Sequence, residues 1–222
     1  MIVYVPQDVY DRLYTRLKDM PEKIPDTLKK TINNAAKEAE KSLPKEVKKE
    51  YVLKDAINRV KKSTSVEKAT ARRPGATIEI KGGPVPLYDF QRRKNGARTA
   101  AKARVLTGSS MKQLILRGGD DNGKDLKAFI QEMENGHIGI FQRLNSEERK
   151  KQQKYFDGRD YRKSGYENGE RKVKRNAIKQ LYSVSMPQMA ENKEVSKEVR
   201  DIIMEELRNS MEKHIASVME GL

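Results

Sequence analysis

Apolar residues recur every four positions at both ends of the chain, and between the two ends the pattern changes to alternation. Val9, Leu13 and Leu17 share one face of a helix. Pro21 and Pro25 interrupt that pattern, and Asp26 is placed to cap a second helix. In "DTLKKTINNAAKEAEKSL" the positions Leu28, Ile32, Ala35, Ala36, Ala39 and Leu43 form another stripe, with Pro44 expected to stop it. A third, shorter helix is expected in "LKDAINRV". The last 30 residues hold the clearest helix. Val195, Val199, Ile203, Leu207, Met211, Ile215, Val218 and Leu222 follow at steps of four, with one step of three, and Asn192 is placed to cap the start. The steps lack the alternation of threes and fours that marks a coiled coil. This helix is expected to bury its Val199–Ile203–Leu207–Ile215 stripe within its own subunit, against the sheet or the 28–43 helix.

From Ser63 the texture becomes strand-like. "TSVEKAT" and "ATIEIKG" alternate around an "RRPG" turn, which predicts a strand pair. "GGPVPLYDFQ" carries two prolines and reads as an extended edge or loop. "KAFIQEM" and "HIGIFQR" are strand-like runs joined at Asn135 and Gly136, which predicts a hairpin with a type I′ turn and both residues at positive φ. Gly139 inside the second strand suggests a bulge or a close approach, and Phe141 is expected to pack under the sheet. Residues 145–175 are polar without a sustained period and read as a loop or arm. "NAIKQLYSV" reads as a further strand, and "SMPQM" as an extended link. The fold class is therefore α+β. It is expected to be one domain spanning 1–222: a helical part (1–62), a small, mostly antiparallel sheet with hairpins and long loops (63–190), and a long C-terminal helix (191–222) packed on it.

Charge adds a partner to this picture. The formal net charge is +15, and residues 59–117 hold 15 basic side chains against 3 acidic ones. Such a field attracts phosphate or an acidic protein surface. Arg92, Arg93, Lys94, Arg98, Lys102 and Arg104 are the candidate contacts, on a loop expected to be poorly ordered in the free subunit. Hydrophobic and charged residues are equally frequent, at 36% each. That is a lean core for a monomer, and it suits a chain completed by neighbouring subunits.

Candidate chemistry is sparse. Cysteine is absent, which excludes disulfides, thiolate metal sites and a cysteine nucleophile. The two histidines, His137 and His214, lie far apart in sequence. Adjacent Asp120 and Asp121 read as a solvated turn, and "DGRDYRKSGYENGE" has the wrong ligand spacing for calcium. No phosphate loop and no nucleophile–base pairing stands out. The expectation is a protein that is not an enzyme and takes no cofactor or metal. No secretory leader and no membrane span are expected, so the chain reads as soluble and made in the cytosol.

Taken in order, "GHIGIFQR" (136–143), the polar insertion, "AIKQLYSVSMPQM" (177–189) and the terminal helix resemble the prophage minor tail protein Z family. The family's pattern has a Gly-His-x-Gly-x-Phe-x-Arg strand, matched by Gly136, His137, Gly139, Phe141 and Arg143. A Leu-Pro-Ile-Lys-Glu-Leu-Tyr-Gly-Pro-Ser-x-Pro-Gln-Met strand and link follows. Ile178, Lys179, Leu181, Tyr182, Ser185, Pro187, Gln188 and Met189 match it. The chain departs from the pattern at Ala177, Ser183 and Val184. "IPDTLKKTINNAAKEAEKSL" and "PVPLYDFQ" are similar to the family more weakly.

The resemblance implies a structural protein of a long-tailed phage or a tail-like particle. It would complete the tail and join the tail tube to the head–tail connector as a ring of copies, expected to be hexameric. Its place would be the virion tail or neck, assembled in the host bacterial cytoplasm. Its partners would be further copies of itself, tail terminator or tube proteins, the connector, and non-specifically the DNA in the channel; no membrane is expected. The alternative reading is a non-specific nucleic-acid-binding protein that uses the basic 59–117 segment.

Overall fold

A computed structural model describes residues 2–93, 101–110, 112–113, 127–159, 170–174 and 177–220. In chain order the elements are β1 (Ile2–Val3), α1 (Gln7–Arg16), α2 (Ile24–Glu50), α3 (Ala56–Ser63), β2 (Thr64–Glu67), β3 (Ala76–Ile80) and β4 (Pro84–Pro86). β5 (Gln91–Arg93), β6 (Lys102–Arg104), β7 (Lys112–Gln113), β8 (Phe129–Glu132) and β9 (Ile138–Arg143) follow. The chain then continues with α4 (Ser146–Asp157), β10 (Ile178–Gln180), β11 (Tyr182–Ser185), α5 (Met186–Ala190) and α6 (Lys193–Glu220). The class is α+β, as the patterning predicts. The chain divides into two compact units, residues 1–84 with 184–222, and residues 85–183.

In the first unit α6 lies antiparallel along α2. Asn192, which caps α6 by accepting the Glu194 N–H, also donates its amide to the Tyr51 hydroxyl just beyond α2. Farther along, Asn34 of α2 donates to Ser210 of α6. The helix therefore finds its main partner in α2 rather than in the sheet. The four-residue step explains how α6 meets several elements in turn. Each step advances about 40° beyond a full turn, so the stripe winds roughly 200° from Val195 to Ile215. Its first turns meet α5, and its last turns close a cluster in which Met211 and Ile215 pack with Val9, Leu13, Leu17, Ile24 and Leu28. Beside α2, strands β1, β3 and β2 form an antiparallel sheet in that order. Val3, Ala76 and Ile78 are buried in it.

Both ends of α2 differ from expectation. The helix begins at Ile24, so Asp26 sits inside its first turn and does not cap it. Pro25 is tolerated there because the N–H groups of a first turn have no helical acceptor. Asp26 faces the helix dipole and pairs with Lys29 and Lys30. At the other end Pro44 does not stop the helix, which continues to Glu50. An interior proline costs about 3 kcal/mol. Burial of Leu43 and Val47 on either side, and of Pro44 itself, offsets that cost. Two further segments are helical where the polar, aperiodic sequence predicts a loop or an extended link. Asn145 and Glu148 form a capping box that starts α4, where a loop was expected. Ser185 and Gln188 form a second box that turns "SMPQM" into the single-turn α5. The signature of an N-cap side chain followed three residues later by Glu or Gln is present in both.

The α2–α6 contact also contains a titrating group. The Asn34 amide that bonds Ser210 lies 3.1 Å from His214 Nε2. Donation to Nε2 requires that nitrogen to be unprotonated. Burial, followed by the Lys30 charge, holds the His214 pKa below its ordinary value, while Asp26 and Glu206 oppose the shift. A folded-state pKa below the unfolded one means that the unfolded chain binds the extra proton more readily. Stability from this site is thus complete above pH about 6.5 and falls as pH drops through the depressed folded value. Melting temperatures between pH 7 and 5 should decline in the wild type and decline less in His214→Gln. Identical slopes would remove His214 as the cause.

Candidate functional site

The first motif lies in the second unit, on an antiparallel sheet ordered β10-β9-β8. Ile140 pairs with Ile130, and Gly139 with Gln131, in unbroken register, so Gly139 makes no bulge. The turn also differs in type from expectation. Gly136 is left-handed at φ 78°, whereas Asn135 is not, since Asp55 is the one non-glycine with positive φ among the described residues. Gly136 N–H donates to the Met133 carbonyl, and Met133 N–H donates to that of His137. This is a three-residue loop closed by a left-handed glycine, the arrangement next in frequency to the two-residue type I′ turn. A Cβ at Gly136 would meet open space, so only backbone strain opposes a side chain there. Gly136→Val should therefore destabilise the protein by about 1–3 kcal/mol. A thermal melt unchanged by that substitution would refute the turn.

The alternation of β9 places His137, Gly139, Phe141 and Arg143 on one face. Phe141 is buried, and its ring covers Gly139 so closely that a Cβ there would lie 2.9 Å from two ring carbons. His137 meets the Phe141 ring edge-on, with centroids 6.2 Å apart. Across the ladder, Gln180 pairs with Phe141. Its Oε1 accepts from the Tyr182 hydroxyl and lies 3.1 Å from His137 Nε2. An amide oxygen is only an acceptor, so Nε2 carries the proton and His137 serves as a donor bridging two strands. One residue earlier, Lys179 forms an ion pair with Glu148. Burial alone would raise the Glu148 carboxyl, but hydrogen bonds from Lys179 and the Asn145 N–H outweigh it and hold its pKa low.

The second motif is divided between the units. Ile178 belongs to the sheet just described, whereas Tyr182, half exposed, begins the separate strand β11. Pro187 and Gln188 lie in α5 of the first unit, where Met189 is fully buried and Met186 packs on Gly82. The motif residues thus do not converge on one pocket. Ser185 and Gln188 start a helix, Met189 fills a core, and His137, Gly139, Phe141 and Gln180 build a sheet face.

The basic candidates separate as well. Arg92 stacks its guanidinium on the Tyr88 ring, 3.6 Å from the centroid, and donates to the Tyr88 carbonyl. Lys102 and Arg104 flank buried Ala103 on β6 and so share one strand face. Arg104 Nε is buried and has no hydrogen-bond partner among the described residues. Arg93 pairs with Lys102 through the backbone. Lys94, Arg98 and most of the loop between Arg92 and Arg104 lie outside the described residues, as do Asp120, Asp121 and Leu222. Among the described residues no three acidic or histidine side chains are grouped to hold a metal. No described helix is long and apolar enough to cross a membrane. Sequence reasoning missed the outer face of α4, where Lys150, Lys151 and Lys154 are exposed. The "NSEE" capping signature would have revealed that helix.

The signature residues turn, pack and cap within an α+β fold. The chain belongs to the prophage minor tail protein Z family, whose model matches residues 15–219. It is a phage minor tail protein, and the family places it among the components of the virion tail. No curated protein and no solved structure matches the chain.

Proposed function

We propose that the protein completes the phage tail and joins the tail tube to the head–tail connector, acting as a hexameric ring of copies at the neck. The observation that carries this reading is the family match over residues 15–219. The distribution of charge supports it. Residues 85–183 carry 23 basic and 12 acidic side chains, an excess that repeats around a ring and calls for acidic neighbours or DNA. The strand face of Lys102 and Arg104, together with Arg92, Arg93, Lys94 and Arg98, supplies contacts to those neighbours. The sheet face of His137, Phe141 and Gln180, which accepts from the Tyr182 hydroxyl, holds the module's shape without catalytic work.

Lysates that lack the protein should accumulate filled heads and free tails, and adding purified protein should restore joined particles. Electron microscopy of labelled protein should place it at the neck. Normal numbers of joined particles in its absence, or label at the distal tip, would overturn the proposal.

A further inference from the structure

α4 presents a cationic face that the motifs do not use. At about 100° per residue, Lys150, Lys151 and Lys154 fall on one side of the helix and Phe156, Arg149 and Gln153 on the other. Burial agrees: the three lysines are exposed and Phe156 is buried. None of the three forms an ion pair with a described residue within 4 Å, unlike Lys179. A second strip runs beside them. The Gln153 amide donates to the Arg171 carbonyl and accepts the Val173 N–H, which fixes residues 171–173 along α4. Lys172 and Lys174 on this strip are exposed too. At the end of the helix Arg159 stacks 4.1 Å from the centroid of the Tyr155 ring, itself 55% exposed. Among the described residues the exposed acids nearby are Glu147, Asp157 and Glu170, and Asp157 is engaged by Gln153.

We infer that this face of α4, with the 170–174 strip, binds the phosphate backbone of double-stranded DNA without reading sequence. Lysine ammonium groups bind phosphate as point charges, a contact that needs no fixed bidentate geometry and carries no sequence information. The helix is convex and 10–12 Å across, a width that a major groove of about 12 Å admits. Gln153 is already engaged by Asp157, Arg171 and Val173, and the Gln152 Oε1 is buried, so neither amide is free to read base edges. The surface is distinct from the 92–104 segment, and it is tested without assembling a particle. Its outcome is therefore separate from that of tail completion.

The experiment measures fluorescence anisotropy of a labelled, random-sequence 24-base-pair duplex (about two helical turns) with the full chain over a salt series. The triple variant Lys150→Gln, Lys151→Gln, Lys154→Gln should bind at least about tenfold more weakly at low salt. Its salt slope should fall by about 2–3, since each lost phosphate contact removes roughly 0.9. A control triple in the first unit, Lys61→Gln, Lys62→Gln, Lys68→Gln, removes the same charge and should change binding little. Glu147→Gln, which deletes an acid from the same face, should tighten binding severalfold and serves as the readout if the α4 triple melts early. Equal losses from both triples would overturn the inference, as would a wild type that does not bind. Displacement of the duplex by polyglutamate as readily as by unlabelled DNA would assign the face to an acidic protein instead.

Discussion

Leu207→Asp should leave the protein unfolded or aggregated. Leu207 is fully buried midway along the stripe that α6 buries in the first unit. The substitution removes leucine packing, for which truncation to alanine costs about 2–5 kcal/mol. It also places a carboxylate in a fully buried, apolar stripe, adding several kcal/mol unless the group stays protonated. Together these terms rival the whole stability of a domain of this size, about 5–15 kcal/mol. Circular dichroism should show lost helix and sedimentation should show aggregates. Leu207→Ala should remain folded, with a lowered denaturation midpoint. If Leu207→Asp were folded and failed only in particle assembly, the stripe would belong to an interface between subunits.

The second large effect is expected at Phe141, where truncation to alanine should cost about 3–5 kcal/mol. Its ring fills the space above Gly139 and supports the edge of His137, so the loss opens a cavity inside the β8–β9–β10 sheet. Hydrogen exchange in these strands should accelerate markedly. Gly139→Ala attacks the same contact from the opposite side. A methyl group 2.9 Å from the ring forces Phe141 to shift, at about 1–3 kcal/mol. In Phe141→Ala the methyl finds room, so the double variant should be less damaged than the sum of the two. Strict additivity in urea denaturation would disprove that ring and glycine share one space.

This pairing shows how a motif is legible as a pattern before its reason is. Gly139 stands out in the sequence because glycine weakens a strand, and a bulge is a common reason for its presence. The actual reason is a side chain two residues away whose ring folds back along the strand, and the spacing of letters does not encode a rotamer. Asn135-Gly136 behaves similarly. The dipeptide marks the turn correctly, but the strand register gives it a three-residue loop, in which only the glycine needs the left-handed region. Among the basic candidates, charge density identified the segment, whereas Tyr88 decided that Arg92 would lie flat against a ring.

What the sequence determined by itself is whatever depends on neighbours along the chain. Steps of four residues specify the terminal helix and its buried stripe, and alternation specifies the β2–β3 and β8–β9 pairs. The side chains of Asn145, Glu148, Ser185 and Gln188 encode two helix starts within four residues each, although their signatures are easily passed over in polar surroundings. What only the tertiary structure decided depends on groups distant in sequence. Pro44 reads locally as a stop, yet α2 continues because burial along α2 outweighs one missing hydrogen bond and the ring's clash with the preceding turn. The stripe on α6 says that one face is buried but not against what. The choice of α2 over the sheet rests on side chains up to 180 positions apart, such as Asn34 with Ser210 and His214. Local propensity is a matter of about 1 kcal/mol per residue, whereas a buried apolar side chain contributes about 1.5–3 kcal/mol. Where the two conflict, packing prevails.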